Sequence, residues 1–320
     1  MGIFDFLEKN IGIDAGSENL RVIENDNLIF DQKSILSVDT TTGIVSGIGK
    51  SIKSIDNHKT IKPVNYCISD FQAFEELIKT AIKEGFKQTG IFHPSLISYF
   101  CIPSAISEVE KRAIRDSAEF SGSKKVFMLN SAITSSINLN ILFEKKHFIL
   151  IEFGASKFEI NVFADSIIVS TGFIRLGTWH LHKLIKNYVY RKTKKLIDEN
   201  KIEKILNQIN SIDDENNNLL NQIFIDNKAL EVILNSYLII INDEIQSTLE
   251  KIVNNTNYNK IILNGAYFTG GGSYNRLLID KIDFGIETKK QISSTPLLDN
   301  IYGLNKVINN PKLYKDYIYQ

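Results

Sequence analysis

The sequence predicts an α/β protein made of two duplicated domains, and three observations support this fold class. At 320 residues the chain is too long for one ordinary hydrophobic core, so two domains are the starting expectation. Short apolar strand-like runs alternate with helical patterns from one end to the other. The Ile-Asp-x-Gly motif at 13–16 has an echo at 151–156, so each half opens with a strand, an acid and a glycine turn.

The elements of the first half follow from local patterns. The segment 11–23 predicts a hairpin, because small residues at 15–17 separate two apolar stretches. Ser107 followed by Glu110 is a capping box and predicts the start of a helix that ends near Gly122. The other predicted elements are strand-like pieces in 28–50, a helix over 71–85, strands over 96–102 and 125–129, and a short helix over 131–139.

The second half continues the alternation. It predicts a strand over 147–153, a hairpin over 157–174 and a helix from Trp179. The segment 191–228 is rich in Lys, Asn and Asp and weakly periodic, which favours a peripheral subdomain rather than core. A long helix over 229–253 is predicted to bury one stripe, consisting of Leu230, Ile233, Tyr237 and Ile240. A strand over 261–268 is predicted to lead into a glycine turn that opens a helix.

Composition limits the function. Lys plus Arg and Asp plus Glu number 37 each, so no net charge attracts polyanions and nucleic acid is not an expected partner. Two cysteines without a CxxC pair indicate neither a disulfide framework nor a zinc site, and a reducing cytosol fits best. We find no secretory signal and no apolar run of about 18 residues, the minimum for a spanning helix.

Three segments are candidates for binding phosphate or a nucleoside. An acid at a strand end followed by small residues places backbone N–H groups around a phosphate, while the carboxylate holds a magnesium-bound water. Three glycines before a helix allow close approach of a ligand. Each segment alone is a weak signal: the first has a plain β-hairpin as its structural alternative, the second is weaker still by itself, and the third has a flexible loop as its alternative. The segments are Asp14-Ala15-Gly16-Ser17-Glu18-Asn19, Glu152-Phe153-Gly154-Ala155-Ser156-Lys157 and Thr269-Gly270-Gly271-Gly272-Ser273.

The order of four motifs resembles MreB, the bacterial actin homologue, across nearly the whole chain. The motifs are IGIDAGSENLRVI, CIPSAISEVEKRAIRDSAEFSG, IEFGASKFEINVF and AYFTGGGSYNRLL. The resemblance implies an actin-like (ribonuclease H-like) fold, with two duplicated α/β domains around a nucleotide cleft. It places domain I at 1–145 plus 300–320, with a small subdomain at about 30–70. Domain II is expected at 146–299, with a peripheral subdomain at about 180–256.

The resemblance also implies ATP or ADP with Mg²⁺ as cofactors and assigns the residues that hold them. Asp14 and Glu152 are the expected metal-site carboxylates. The nucleotide-binding residues implied are Asp14, Gly16, Ser17, Glu18, Asn19, Glu152, Gly154, Ala155, Ser156, Lys157, Gly270, Gly271, Gly272 and Ser273.

Three departures from the MreB pattern bear on hydrolysis. The second loop usually reads Asp-x-Gly-Gly-Gly-Thr, whereas here Ala155 and Ser156 place Cβ atoms where backbone should meet phosphate. Lys157 either stabilises phosphate or takes its place as an internal cation. Ser131 stands where the family has a water-positioning Glu, and Thr178-Trp179 replaces Gly-Asp. A serine cannot act unaided as a general base, so hydrolysis is expected to be slow or absent.

The implied function is a filament-forming cytoskeletal protein, cytoplasmic and peripheral at the inner membrane, that organises cell shape or wall synthesis. Its implied partners are itself in protofilaments, the membrane surface, other MreB-like filaments and cell-wall synthesis proteins. The alternative is a non-polymerising adaptor or regulator of an MreB-like filament; a small-molecule kinase is disfavoured by the lost acids. The candidate membrane contacts, for which packing on the protein body is the alternative, are Ile3, Phe4, Phe6, Leu7, Ile91 and Phe92.

Overall fold

The computed structural model describes residues 8–52, 57–86, 95–209 and 217–319. The chain divides into two compact units: unit 1 is Met1–Leu142 with Leu298–Gln320, and unit 2 is Phe143–Leu297. Each unit contains its own five-stranded sheet and its own cluster of buried apolar side chains.

Fifteen strands lie in the described part of the chain. They are β1 (Glu8–Ala15), β2 (Asn19–Glu24), β3 (Asn27–Lys33), β4 (Leu36–Asp39), β5 (Val45–Ile48), β6 (His58–Ile61), β7 (Val64–Asn65), β8 (Cys67–Ile68), β9 (Ser95–Ile102), β10 (Ser123–Asn130), β11 (Phe148–Phe153), β12 (Phe158–Ala164), β13 (Ile167–Ile174), β14 (Ala266–Thr269) and β15 (Lys290–Ile292).

The same described ranges hold eleven α-helices. They are α1 (Phe71–Gly85), α2 (Glu108–Phe120), α3 (Ser131–Asn138), α4 (Ile141–Glu144), α5 (Thr178–Thr193), α6 (Glu199–Leu206), α7 (Asn217–Asn221), α8 (Asn227–Glu250), α9 (Tyr258–Asn264), α10 (Arg276–Lys281) and α11 (Asp299–Asn309).

The two main sheets share one topology. In unit 1 the order is β10-β9-β1-β2-β3, with β1–β3 an antiparallel meander and β9 and β10 added in parallel. In unit 2 the order is β13-β12-β11-β14-β15, again an antiparallel meander extended by two parallel strands. The predicted duplicated α/β architecture is therefore confirmed. A smaller sheet, β5-β4-β6, and the β7–β8 pair complete unit 1.

Helices α1, α2 and α3 of unit 1 begin where their sequences predict. Asp70 caps α1 by accepting a hydrogen bond from the backbone N–H of Ala73, and the apolar face of α1 is buried. Helix α11, from the C-terminal part of the chain, crosses α3 so closely that a Cβ on Gly303 would lie 1.9 Å from the carbonyl oxygen of Thr134. Only glycine fits at that crossing.

The capping box of α2 yields a stability prediction. The Ser107 hydroxyl accepts from the backbone N–H of Glu110, whose carboxylate accepts from the backbone N–H of Ser107 at 2.9 Å. We expect Ser107→Ala to lower the free energy of unfolding by about 1 kcal/mol, because one N-terminal N–H loses its partner. Urea denaturation measures this loss. An unchanged unfolding midpoint would show that the capping box does not contribute to the free energy of unfolding.

Two expectations for unit 2 are wrong. The segment 261–268 is not one strand: α9 occupies Tyr258–Asn264, and β14 begins only at Ala266. The segment 191–228 is not merely peripheral, because eight of its apolar residues belong to the core of unit 2. These buried residues are Ile197, Ile202, Ile205, Leu206, Ile209, Leu220, Ile223 and Ile225. The segment is mainly polar, so its few apolar residues gave a weak pattern in the sequence, but tertiary packing buries them.

The long helix is confirmed as α8, but its buried stripe differs from the predicted one. Leu230 and Tyr237 are buried as expected, whereas Ile240 is 45% exposed. The buried stripe continues instead through Leu234, Ile241 and Ile245, which keep helical spacing better. Within the described residues no helix is both long and apolar enough to cross a membrane.

Candidate functional site

The first candidate segment is the turn between β1 and β2. The Gly16 N–H donates to the carbonyl oxygen of Asn19 at 3.0 Å, closing the turn. Ser34 donates its hydroxyl to the carbonyl of Gly16 at 2.6 Å, and the Tyr66 N–H donates to the Ser17 hydroxyl at 3.2 Å. The Glu18 carboxylate pairs with Lys33 at 2.7 Å. The turn is therefore held by neighbouring segments of unit 1.

Asp14 lies beside a buried guanidinium. Asp14, Arg21 and Asp31 are direct neighbours in one row across β1, β2 and β3. Arg21 Nη1 lies 3.8 Å from Asp14 Oδ2, and its Nε lies 3.2 Å from Asp31 Oδ1. Arg21 is only 5% exposed, so its charge depends on these carboxylates for compensation. Sequence reasoning missed Arg21, although its place in an apolar run (Leu-Arg-Val-Ile) was a signal.

The second candidate segment is the turn between β11 and β12. The Gly154 N–H donates to the carbonyl of Lys157 at 2.9 Å. The first N–H groups of α5 donate to the turn from the other side: Thr178 to the carbonyl of Gly154 at 3.1 Å, and Trp179 to that of Ala155 at 2.9 Å. The N-terminus of α5, which is the positive end of its helix dipole, thus holds this turn through hydrogen bonds.

Three charged side chains form a buried group at this turn, which we call the Lys157 triad: Lys157, Glu152 and Glu159. Lys157 Nζ lies 3.1 Å from Glu152 Oε2 and 2.7 Å from Glu159 Oε2. Burial by itself lowers the pKa of Lys157, but the negative charges of Glu152 and Glu159 outweigh it and raise that pKa well above its ordinary value. Lys157 is therefore an internal cation of the hairpin. Sequence reasoning missed Glu159, which stands at a buried strand position.

The third candidate segment follows β14. Gly270 has a φ of +83°, and a Cβ on it would lie 2.5 Å from the carbonyl oxygen of Phe153. A Cβ on Gly272 would lie 2.6 Å from the Phe153 ring. Close packing on Phe153 thus already requires glycine at both positions. Gly271–Tyr274 is a 3-10 turn in which Ser273 donates its hydroxyl to the carbonyl of Thr269, so α10 starts only at Arg276 and not directly after the glycines.

Ser131 occupies the first position of α3 and is 3% exposed. The preceding Asn130 caps this helix, since its side chain accepts from the Ala132 N–H at 2.8 Å. A neutral hydroxyl at this point can orient a water but cannot accept its proton as a carboxylate does.

The residues present do not fit a divalent metal ion. Both expected metal-site carboxylates already lie beside a cation of their own unit, Asp14 beside Arg21 and Glu152 beside Lys157. No group of three or more potential ligands from His, Cys, Asp and Glu occurs among the described residues. A metal ion would have to compete with a fixed cation at each carboxylate. The candidate membrane contacts, Ile3, Phe4, Phe6, Leu7, Ile91 and Phe92, lie outside the described residues.

Sequence comparison identifies relatives. The profile of the family described as MreB/Mbl protein matches residues 8–316. The cell shape-determining protein Mbl of Bacillus cereus is 26% identical over 212 residues, 64% of this chain and 63% of the relative. The cell shape-determining protein MreB of Escherichia coli is 24% identical over 214 residues, 63% of this chain and 61% of the relative. The chain thus matches less than two thirds of the length of these relatives.

Solved structures show the same fold over almost the full chain. MreB5 of Spiroplasma citri bound to AMPPNP superimposes with a TM-score of 0.80 at 18% identity, covering 97% of this chain and 98% of that one. The MamK double helical filament gives 0.75 at 12% identity, covering 95% and 99%. The fold is therefore actin-like, as the motif resemblance implied.

Proposed function

This chain belongs to the MreB/Mbl family, and from that premise we propose that it is a filament-forming cytoskeletal protein that binds ATP or ADP. The observation that carries the proposal is the pair of acid–glycine hairpins at equivalent places in two sheets of one topology. Turns of small residues let backbone N–H groups approach phosphate. MreB5 of Spiroplasma citri, which has the same fold, has been solved with AMPPNP and with ADP.

The residues proposed to contact the nucleotide come from the three segments. Phosphate is assigned to the two hairpin turns and adenosine to the glycine turn. The set is Asp14, Gly16, Ser17, Glu18 and Asn19, then Glu152, Gly154, Ala155, Ser156 and Lys157, then Gly270, Gly271, Gly272 and Ser273. Asp14 and Glu152 are not assigned to magnesium, because each lies beside a fixed cation.

Hydrolysis is proposed to be slow or absent. The chain has Ser131 where a carboxylate would position the attacking water, and a serine is a poor general base. Nucleotide would then act as a ligand that favours one conformation of the subunit rather than as a consumed substrate.

The cellular role proposed is organisation of cell shape or wall synthesis at the cytoplasmic face of the inner membrane. It rests on the family, whose curated members include cell shape-determining proteins. The partners proposed are copies of this chain, the membrane surface and cell-wall synthesis proteins. A few apolar side chains bind a bilayer weakly, but a filament multiplies such contacts.

Polymerisation is the direct test of this proposal. We expect the purified protein to pellet on ultracentrifugation after addition of ATP, and negative-stain electron microscopy of the same sample to show ordered filaments. The MamK structure shows that a chain of this fold assembles into a double helical filament. A protein that stays in the supernatant at every concentration, with or without nucleotide, would contradict the proposal.

The alternative function is a non-polymerising adaptor or regulator of an MreB-like filament. The Lys157 triad favours it, because an internal cation stands at a loop that the family uses for phosphate. Such a protein would remain monomeric alone and would sediment only when mixed with filaments of an authentic MreB. That co-sedimentation experiment separates the two functions.

A further inference from the structure

The Lys157 triad contains two buried carboxylates that lie directly opposite each other in a sheet. Glu152 and Glu159 are direct cross-strand neighbours in the β11–β12 pair. Both residues are buried, at 7% and 0% exposure. Like charges directly opposite each other destabilise a sheet, and burial strengthens the repulsion. A cation between these two carboxylates relieves that repulsion.

Lys157 supplies that cation from within the hairpin. Its ammonium contacts both glutamates, and its side chain is only 12% exposed. The aliphatic part of the Lys157 side chain lies next to Gly154: its Cγ is 3.5 Å from the position that a Cβ on Gly154 would occupy. A divalent ion at Glu152 would have to displace a buried ammonium, which is costly because the ammonium would lose its charge partners.

The ammonium retains capacity for a ligand. It has three N–H donors, and in the described part of the chain its hydrogen-bond and ion-pair contacts are with Glu152 and Glu159. One donor therefore remains for an incoming oxygen. With both glutamates ionised the triad carries a net charge of about −1, whereas the carboxylates alone would carry the −2 that a magnesium ion balances.

Unit 1 shows the same arrangement independently. Arg21 lies between Asp14 and Asp31 in the row across β1, β2 and β3. There too a fixed cation accompanies the carboxylate expected to serve a metal, and that cation is 5% exposed. Both hairpins thus contain the positive charge that a nucleotide-binding site usually takes from a metal ion.

We propose that Lys157 replaces a divalent metal ion at the second hairpin, so that this protein binds ADP or ATP without magnesium. The ammonium compensates Glu152 and Glu159 and donates its remaining N–H to a phosphate oxygen, as a fixed point charge. This inference rests on the proposed nucleotide binding and adds its metal requirement.

Calorimetry of ADP binding to the full chain tests the proposal. We expect the dissociation constant in excess EDTA to lie within about twofold of that in millimolar magnesium chloride. An affinity that falls about tenfold or more in EDTA would overturn metal-independent binding while leaving nucleotide binding intact. Absence of ADP binding in both buffers would instead reject the proposed function, and this inference with it.

Two variants assign the effect to Lys157. Lys157→Met removes the charge, so ADP affinity in EDTA should fall about tenfold, and magnesium should restore part of it through the vacated carboxylates. Lys157→Arg keeps a cation and should remain indifferent to EDTA. Circular dichroism checks that each variant is folded; if Lys157→Met does not fold, the wild-type comparison still decides. A folded Lys157→Met that binds ADP like wild type in EDTA would refute the role of Lys157.

Discussion

Lys157→Met is expected to lower the free energy of unfolding by about 3–5 kcal/mol, the cost of removing one partner from a buried charged group. The variant removes the ammonium that contacts both Glu152 and Glu159, which lie opposite each other in the β11–β12 pair. Methionine nearly preserves the length and apolar stem of lysine, so the loss reports charge rather than packing. Urea denaturation followed by circular dichroism measures it.

The matched control is Lys186→Met, which makes the same replacement in an ion pair near the surface. Lys186 Nζ lies 2.7 Å from Glu199, but the two side chains are 34% and 43% exposed. Exposed pairs contribute about 0–1 kcal/mol. Equal losses in the two variants would mean that the Lys157 triad is no more important for stability than a surface pair.

The stabilisation of the wild type by the Lys157 charge also depends on pH in a defined direction. The pKa of Lys157 is raised in the folded protein above its ordinary value of 10.5, because Glu152 and Glu159 outweigh the effect of burial. Its stabilisation is therefore fully present below pH 10.5 and is lost as the pH rises through the folded-state pKa. The contribution of the Lys157 charge to the stability of the wild type should therefore be constant near neutral pH, and urea denaturation should show it shrinking only in strong alkali.

Gly177→Ala is expected to destabilise unit 2 by about 3 kcal/mol, at the upper end of overpacking substitutions. A Cβ at this position would lie 2.4 Å from both the carbonyl carbon and oxygen of Ala155 and 2.5 Å from the carbonyl oxygen of Gly154. These are backbone atoms, so no side chain can move aside. The bonds from Thr178 and Trp179 to the turn would break or lengthen. The unfolding midpoint in urea and the ADP affinity should both fall.

Gly154→Ala is the control for that experiment, because it adds the same methyl group within the same turn. A Cβ on Gly154 would meet only Lys157 atoms at 3.5 Å, an ordinary contact. Its stability should change by less than about 0.5 kcal/mol. A selective loss of ADP affinity in Gly154→Ala would place phosphate against this turn. If Gly177→Ala were as stable as Gly154→Ala, the inference that α5 packs too closely on the turn to admit a Cβ at Gly177 would be wrong.

Local patterns predicted much of this protein. The capping box at Ser107, the presence of the long helix α8 and the hairpin over 157–174 all depend on residues a few positions apart. The repeat of an acid and a glycine at 13–16 and 151–156 predicted the duplication that the two sheets display. These features could be found from the sequence because neighbours in the chain determine them.

Only the tertiary structure shows which charged side chains meet at the second hairpin. The sequence left Lys157 open between a phosphate ligand and an internal cation, and it did not indicate Glu159 or Arg21 as members of the candidate site. The spacing of Lys157 and Glu159 is local, but Glu152 joins them only because β11 and β12 pair in one register. Arg21 likewise meets Asp31 through the register of β2 and β3. Which charges lie together is set by strand pairing and burial, and a linear sequence specifies neither by itself.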